Sequence, residues 1–139
     1  MKNGFSVENI KPEEIISLKQ AEFSDIITVD GIINTLTYHP LQQEIELNES
    51  QKRLFCCMLM NVTRKKNIIM TVWNENHQRI SDNNYHQLIF QTRALLKRHN
   101  LPEKLLITVP YYGLRFNSKL LEEIARRDRN ILSSALTPA

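Results

Sequence analysis

The feature that most constrains this chain is a long amphipathic helix at residues 82–99, which a compact β-hairpin follows directly. Ser81 is a suitable N-cap for the helix, and Pro102 lies just beyond its end. A period of 3.6 residues gathers one set of side chains on a predicted core face: Tyr85, Leu88, Ile89, Thr92, Leu95, Leu96 and His99. The opposite face is mostly polar but includes Phe90. We therefore expect one buried face and one face open to solvent or to a partner.

The hairpin is predicted from residues 105–117, which read LLITVPYYGLRFN. Two predicted strands, 105–109 and 114–117, flank a tetrad that begins with Pro110 and ends with Gly113. Proline and glycine at those places are typical of a turn. The sequence therefore predicts an exposed helix face and a hairpin tip side by side.

The first third of the chain predicts a helix followed by a small antiparallel sheet. Residues 12–22, PEEIISLKQAE, place a proline and two glutamates in the first turn, as helix starts prefer. From Ile26 to Leu47, β-branched residues surround the pair Asp30-Gly31, which is a strong hairpin signal. We expect the sheet to occupy residues 26–47.

Three further helices are predicted around the long one. Asn48 is a suitable N-cap for a helix at residues 49–62. The cations Arg64-Lys65-Lys66 should close that helix, because positive charge is favourable at a helix C-terminus. A shorter helix is expected at residues 68–74 and a last one at residues 119–132.

Charge is distributed unevenly along the chain. Residues 1–50 carry three lysines against nine acidic residues, a net charge of −6. Residues 51–117 carry eleven lysines and arginines against three acidic residues, a net charge of +8. A basic segment of this size is typical of proteins that bind polyanions. A solvated basic face without a partner is the alternative, and the charge alone leaves both open.

Several classes of protein are disfavoured by the sequence. The 139 residues are 42% hydrophobic, which suits one globular domain with flanking elements. The chain contains no run of about 18 apolar residues and no secretory signal, so we expect no membrane segment and a cytoplasmic location. Cys56 and Cys57 are adjacent and lie in an apolar run, so we expect buried thiols. We expect no metal site, no cofactor and no enzymatic activity, because the histidines lack ligand spacing and no glycine-rich loop is present.

The ordered set of elements resembles the DNA-binding domain of OmpR-type response regulators, and in particular ToxR/CadC-like transcriptional regulators. The resemblance rests on Val72-Trp73, Ser81-Asp82, the pair Ile89 and Arg93, and the hairpin residues Thr108, Val109 and Gly113. It covers residues 26–117, about two-thirds of the chain. It implies an α+β fold, a winged helix-turn-helix with an N-terminal antiparallel β-sheet, three helices, a C-terminal β-hairpin wing and flanking helices.

The resemblance also implies a domain organisation and a location. Residues 25–117 would form the DNA-binding domain, residues 1–24 an N-terminal helical extension and residues 118–139 a C-terminal helix and tail. The protein would be a bacterial, cytoplasmic regulator, or the cytoplasmic part of a longer inner-membrane regulator. Its partner would be double-stranded promoter DNA. The C-terminal helix would pack on the domain or pair two copies into a homodimer.

In such a protein the long helix would enter the major groove and the hairpin would touch the adjacent backbone. Glutamine can pair bidentately with adenine, which makes the exposed amides candidates for base contact. The predicted base-reading residues are Asn83, Asn84, His86, Gln87, Phe90 and Gln91. The predicted phosphate contacts, which position a protein without reading sequence, are Lys65, Lys66, Arg79, Arg93, Lys97, Arg98, Lys104, Tyr111, Tyr112 and Arg115.

Three of these assignments have alternatives. Phe90 could contact thymine methyl groups, dock another protein or fold back on the hairpin. Arg93 could pair internally with an acidic group, and Tyr111 and Tyr112 could pack within the hairpin. The rival interpretation of the whole chain is a degenerate winged helix that binds a protein, through Phe90 or through the C-terminal helix.

Overall fold

The predicted α+β class is confirmed by the computed structural model, which describes residues 10–136 and the side chains as far as Arg127. The expected N-terminal extension therefore lies partly outside the described residues, since residues 1–9 are not among them. In chain order the elements are α1 (Pro12–Ile16), β1 (Gln20–Phe23), β2 (Ile27–Asp30), β3 (Thr35–Tyr38), β4 (Gln43–Glu46), α2 (Glu49–Leu59), α3 (Lys65–Val72), α4 (Asp82–Arg98), β5 (Leu106–Val109), β6 (Gly113–Phe116) and α5 (Ser118–Leu136).

The first sheet is antiparallel, with its strands in the order β1-β2-β3-β4. One row across the sheet pairs Ala21 with Val29, Val29 with Leu36, and Leu36 with Ile45, and all four side chains are buried. Successive residues of a strand point to opposite faces of the sheet. The residues that precede and follow this row along each strand therefore form a polar outer face. The sheet predicted from residue 26 to residue 47 is confirmed, with one additional strand at its edge.

That additional strand overturns the prediction of a helix over residues 12–22. The helix α1 ends at Ile16 and Ser17 is its C-cap, so residues 20–23 are free to extend as β1. Gln20 pairs with Asp30 and Phe23 with Ile27, which makes β1 the outer partner of β2. Local helix propensity is weak, and pairing with a distant strand overrides it here.

A single core joins the sheet to the helices. Phe55 of α2 is fully buried, and its ring centroid lies 6.3 Å from that of Phe116 in β6. Leu121 and Ile124 of α5 are also buried in this core. The described part of the C-terminal helix therefore packs on the rest of the molecule.

The cations Arg64-Lys65-Lys66 do not close α2, as the sequence had predicted. The helix α2 ends at Leu59, and Asn61 follows in the left-handed conformation with φ 62°. The amide of Val62 donates to the carbonyl of Cys57 at 2.7 Å, a bond typical of a helix C-terminus closed by a left-handed residue. Arg64 is instead the N-cap of α3, which begins at Lys65.

Candidate functional site

The long helix α4 buries the face that its periodicity predicts. Ser81 caps it, because the Ser81 hydroxyl accepts from the amide of Asn84 at 3.2 Å. The predicted core residues from Tyr85 to Leu96 are all buried, and His99 at the C-cap is half-buried. The ring Nδ1 of His99 lies 2.8 Å from the side-chain nitrogen of Gln43, a hydrogen bond that ties the end of α4 to β4. One face of the helix is thereby fixed against the core.

The predicted base-reading residues are all exposed on the opposite face of α4, but they fall into two groups. Asn84, Gln87 and Gln91 line a shallow polar recess. Trp73 lines it too, as do the N-cap Asn48 and Ser50 at the start of α2. The side-chain oxygen of Asn84 already accepts from the amide of Ser81 at 2.9 Å, so only its nitrogen is free of the cap. His86 and Phe90 lie outside the recess.

Phe90 is 72% exposed, which excludes the expectation that it folds back on the hairpin. It stands among polar neighbours on the outward side of α4. A side chain of this size left open to water is typical of a contact surface. Contact with thymine methyl groups and contact with another protein both stay open.

Arg93 fastens the hairpin to α4. One guanidinium nitrogen donates to the carbonyl of Leu106 at 2.8 Å and to the hydroxyl of Thr108 at 3.0 Å, both on β5. The expected internal partner of Arg93 was an acidic group, and the partners are a carbonyl and a hydroxyl instead. Arg93 is half-buried in this position. Its hydrogen-bonding capacity is thus partly used inside the molecule.

A second attachment joins the hairpin to the segment before α3. Gly113 forms an antiparallel bridge with Arg64, and the amide of Leu114 donates to the carbonyl of Thr63 at 3.0 Å. The amide of Lys65 donates to the carbonyl of Tyr112 at 2.9 Å. The hairpin is therefore held between α4 on one side and the start of α3 on the other.

Lys65 links the starts of α3 and α4. Its ammonium lies 2.8 Å from a carboxylate oxygen of Asp82 and 5.1 Å from the ring centroid of Tyr85. The hydrogen bond from Lys65 and its charge lower the pKa of Asp82. Lys65, a predicted phosphate contact, is therefore already paired in the free protein.

The other predicted phosphate contacts differ in the exposure of their side chains and in the partners that these side chains already have. Lys97 lies 3.7 Å from Glu103, and both side chains are more than half exposed. This ion pair therefore contributes little to the stability of the fold. Arg115 donates to the carbonyl of Phe116 at 3.2 Å. The remaining cations of this set have exposed side chains: Lys66, Arg79, Arg98 and Lys104.

The two tyrosines at the hairpin tip occupy different environments. The Tyr112 hydroxyl lies 3.2 Å from the hydroxyl of Thr63, and the guanidinium of Arg64 lies 5.3 Å from the centre of its ring. Tyr112 thus contacts the segment before α3, while its side chain stays 40% exposed. Tyr111 is fully exposed and has φ 62°. That backbone conformation costs a residue other than glycine about 1–2 kcal/mol.

Some residues of this region were not found by sequence reasoning. Thr63 and Arg64 anchor the hairpin through pairing with residues some 50 positions later, as the Arg64–Gly113 bridge shows, and no local pattern signals such pairing. Tyr85 was expected only as a core residue, yet its buried hydroxyl has no hydrogen-bond partner. Burial raises the pKa of Tyr85 to about 12, so the hydroxyl is neutral at physiological pH.

Among the side chains that the structure describes, those of residues 10–127, no three histidine, cysteine or acidic groups lie so as to hold a metal ion. Both cysteines are buried, and burial raises the pKa of Cys56 to about 11 and that of Cys57 to about 12. The two thiols are therefore protonated and poorly nucleophilic at neutral pH. In the same part of the chain, no helix combines the length and the apolar character needed to cross a membrane.

Comparison with known proteins finds no protein-family model and no curated protein that the sequence matches.

Proposed function

We propose that this chain is a winged helix-turn-helix protein that binds promoter DNA and regulates transcription in a bacterial cytoplasm. In this proposal α3 and α4 are the helix-turn-helix, and the hairpin of β5 and β6 is the wing. The helix α4 would lie in the major groove, which admits an α-helix, and the wing would touch the neighbouring backbone.

The observation that carries the proposal is the fixed arrangement of an exposed helix face beside the hairpin. Arg93 ties α4 to β5, and the Lys65–Asp82 ion pair ties α4 to α3. Elements held in one geometry before binding lose little conformational freedom when they dock. The net charge of +8 on residues 51–117 supplies the attraction to phosphate.

The proposal assigns different roles to amides and to cations on α4. Replacing Gln87 or Gln91 with alanine should lower the preference for the cognate sequence by about 1–3 kcal/mol and leave binding to random duplexes nearly unchanged. Lys97→Ala is the matched variant on the same helix, and it should weaken binding to all sequences alike. The measurement is affinity for a duplex selected from random DNA and for a scrambled duplex. Equal losses on both duplexes for all three variants would refute the division of roles.

A second candidate function is a protein-binding module of the same fold, and the exposure of Phe90 favours it. In this case α4 would present Phe90 to a partner in a regulatory complex. The variant Phe90→Ser separates the candidates, because the side chain is exposed and its loss should leave the fold intact. Weaker duplex binding by the variant supports the DNA-binding proposal. Unchanged duplex binding together with a lost protein complex supports the second candidate.

A further inference from the structure

Two cavities lie along α3, between the start of α1 and the tip of the hairpin. Their volumes are about 440 Å³ and about 690 Å³. They adjoin one another, because Arg64, Asn67, Met70 and Tyr112 line both. We call this combined surface the α3 trough.

The α3 trough combines an apolar floor with a basic rim. In its larger cavity the half-buried side chains Ile69, Met70 and Ile80 supply the floor. The basic side chains along its length are Lys11, Arg64, Lys65, Lys66 and His77. Among the described residues, no aspartate or glutamate lines either cavity. Lys65 is already paired with Asp82. The lining as a whole is nevertheless basic, so it suits a ligand that offers both apolar groups and negative charge.

Tyr111 gives a second indication that the larger cavity meets a partner. Its side chain lines that cavity and is fully exposed, while its backbone has φ 62°. Glycine or asparagine adopts this conformation more readily than tyrosine does. Residues held in such sparsely populated backbone conformations are concentrated at active sites, ligand clamps and switch regions.

We propose that the α3 trough binds an acidic, amphipathic segment of a partner protein. Apolar side chains of the segment would cover Ile69, Met70 and Ile80, and its carboxylates would face Lys66 and Arg64. A phosphate backbone satisfies the rim but leaves the apolar floor without a contact, so a peptide matches the lining better than a nucleic acid does. The inference goes beyond DNA binding and does not depend on it.

The proposal has a consequence for regulation. The trough shares four residues with the candidate phosphate contacts: Lys65 and Lys66 of α3, and Tyr111 and Tyr112 of the wing. A protein segment seated in the trough would therefore compete with DNA for these side chains. The partner would act as an antagonist of duplex binding, a consequence that, unlike the binding of the segment, rests on the proposed function.

The floor of the trough provides its own probes, because two isoleucines and a methionine carry methyl groups that NMR can follow. The chain with labelled isoleucine and methionine methyls is titrated with a synthetic peptide that alternates Glu with Leu and Phe. The control peptide has Lys in place of every Glu. The expected result is saturable shifts at Ile69, Met70 and Ile80 with the acidic peptide and none with the basic one. Absence of saturable shifts at these methyls would overturn the proposal.

Two variants test whether the contact is specific. Met70→Ser removes floor area and should weaken peptide binding by about fivefold or more. Tyr111→Asn should also weaken peptide binding, while thermal melting stays unchanged or rises, because asparagine tolerates the backbone conformation. Peptide affinity that is unchanged in both variants would contradict the proposal. A loss of duplex DNA affinity in Met70→Ser as large as the loss of peptide affinity would assign the trough to nucleic acid instead.

Discussion

Replacing Gly113 with alanine should lower the free energy of unfolding by about 3 kcal/mol, near the upper end for a group forced into a packed site. A Cβ at this position would lie 1.9 Å from the carbonyl oxygen of Thr63 and 2.7 Å from the amide nitrogen of Lys65. Both atoms belong to the backbone and cannot rotate away. The hairpin would have to separate from the segment before α3. The bonds between Leu114 and Thr63 and between Lys65 and Tyr112 would weaken with it.

The effect of Gly113→Ala is measured by thermal melting, where we expect a fall of roughly 10 °C for a chain of this size. Gly31→Ala is a matched control, since its Cβ would lie 1.9 Å from the carbonyl oxygen of Leu18 in a different part of the molecule. Both variants should be destabilised. At a temperature where both are folded, only Gly113→Ala should weaken duplex binding, because only that variant displaces the wing. A melting temperature equal to that of the wild type would contradict the structure of this contact.

Arg53→Ala should lower the free energy of unfolding by about 2 kcal/mol, the range for hydrogen bonds to a charged group. The Arg53 guanidinium donates to the carbonyl of Val72 at 3.1 Å and to carboxylate oxygens of Glu49 and Glu75 at 2.8–3.1 Å. Its side chain is 11% exposed, so water replaces these bonds poorly. The network joins the start of α2 to the end of α3. Urea unfolding of the variant measures the loss, and Arg53→Lys should recover part of it.

The contribution of Arg53 should depend on pH in a defined direction. Burial raises the pKa of Glu49, but hydrogen bonds from Arg53, Asn34 and Lys52 outweigh it, so the pKa is lowered overall. The hydrogen bond from Arg53 also lowers the pKa of Glu75. A carboxylate whose pKa is lower in the folded state adds stability that is present above its unfolded pKa and is lost on acidification.

The difference in free energy of unfolding between wild type and Arg53→Ala should therefore have its full value at pH 7. It should shrink as the pH falls below about 4.5, the ordinary pKa of a glutamate, and through the lower folded values. The measurement is urea unfolding of both proteins across this range of pH. If the stability difference grew on acidification, the carboxylates of Glu49 and Glu75 would not be the partners through which Arg53 stabilises the fold.

The sequence predicts the parts of the fold that local signals define. The helix α4 carries its own cap at Ser81 and a strict apolar period, so both its bounds and its buried face were predictable. The hairpin of β5 and β6 was predictable because Pro110 and Gly113 mark its turn. Exposure of the predicted base-reading residues follows from the same period.

The remaining features depend on contacts between distant parts of the chain. β1 lies in a segment with helix-like composition, and only its register with β2 makes it a strand. The position of Arg64 at the start of α3 depends on its bridge to Gly113. The bond from Arg53 to Glu75 joins residues 22 positions apart. A single sequence contains no periodic signal for any of these, because each is decided by tertiary packing.

The most direct test of the DNA-binding account is the affinity of the purified chain for duplex DNA as a function of salt. The duplexes are first selected from a random pool at low ionic strength. If about five of the exposed cations between Lys66 and Arg115 contact phosphates, the logarithm of the binding constant should fall linearly with the logarithm of the salt concentration, with a slope of roughly −4 to −5. Failure to select any duplex at low salt, or a slope near zero, would contradict the account.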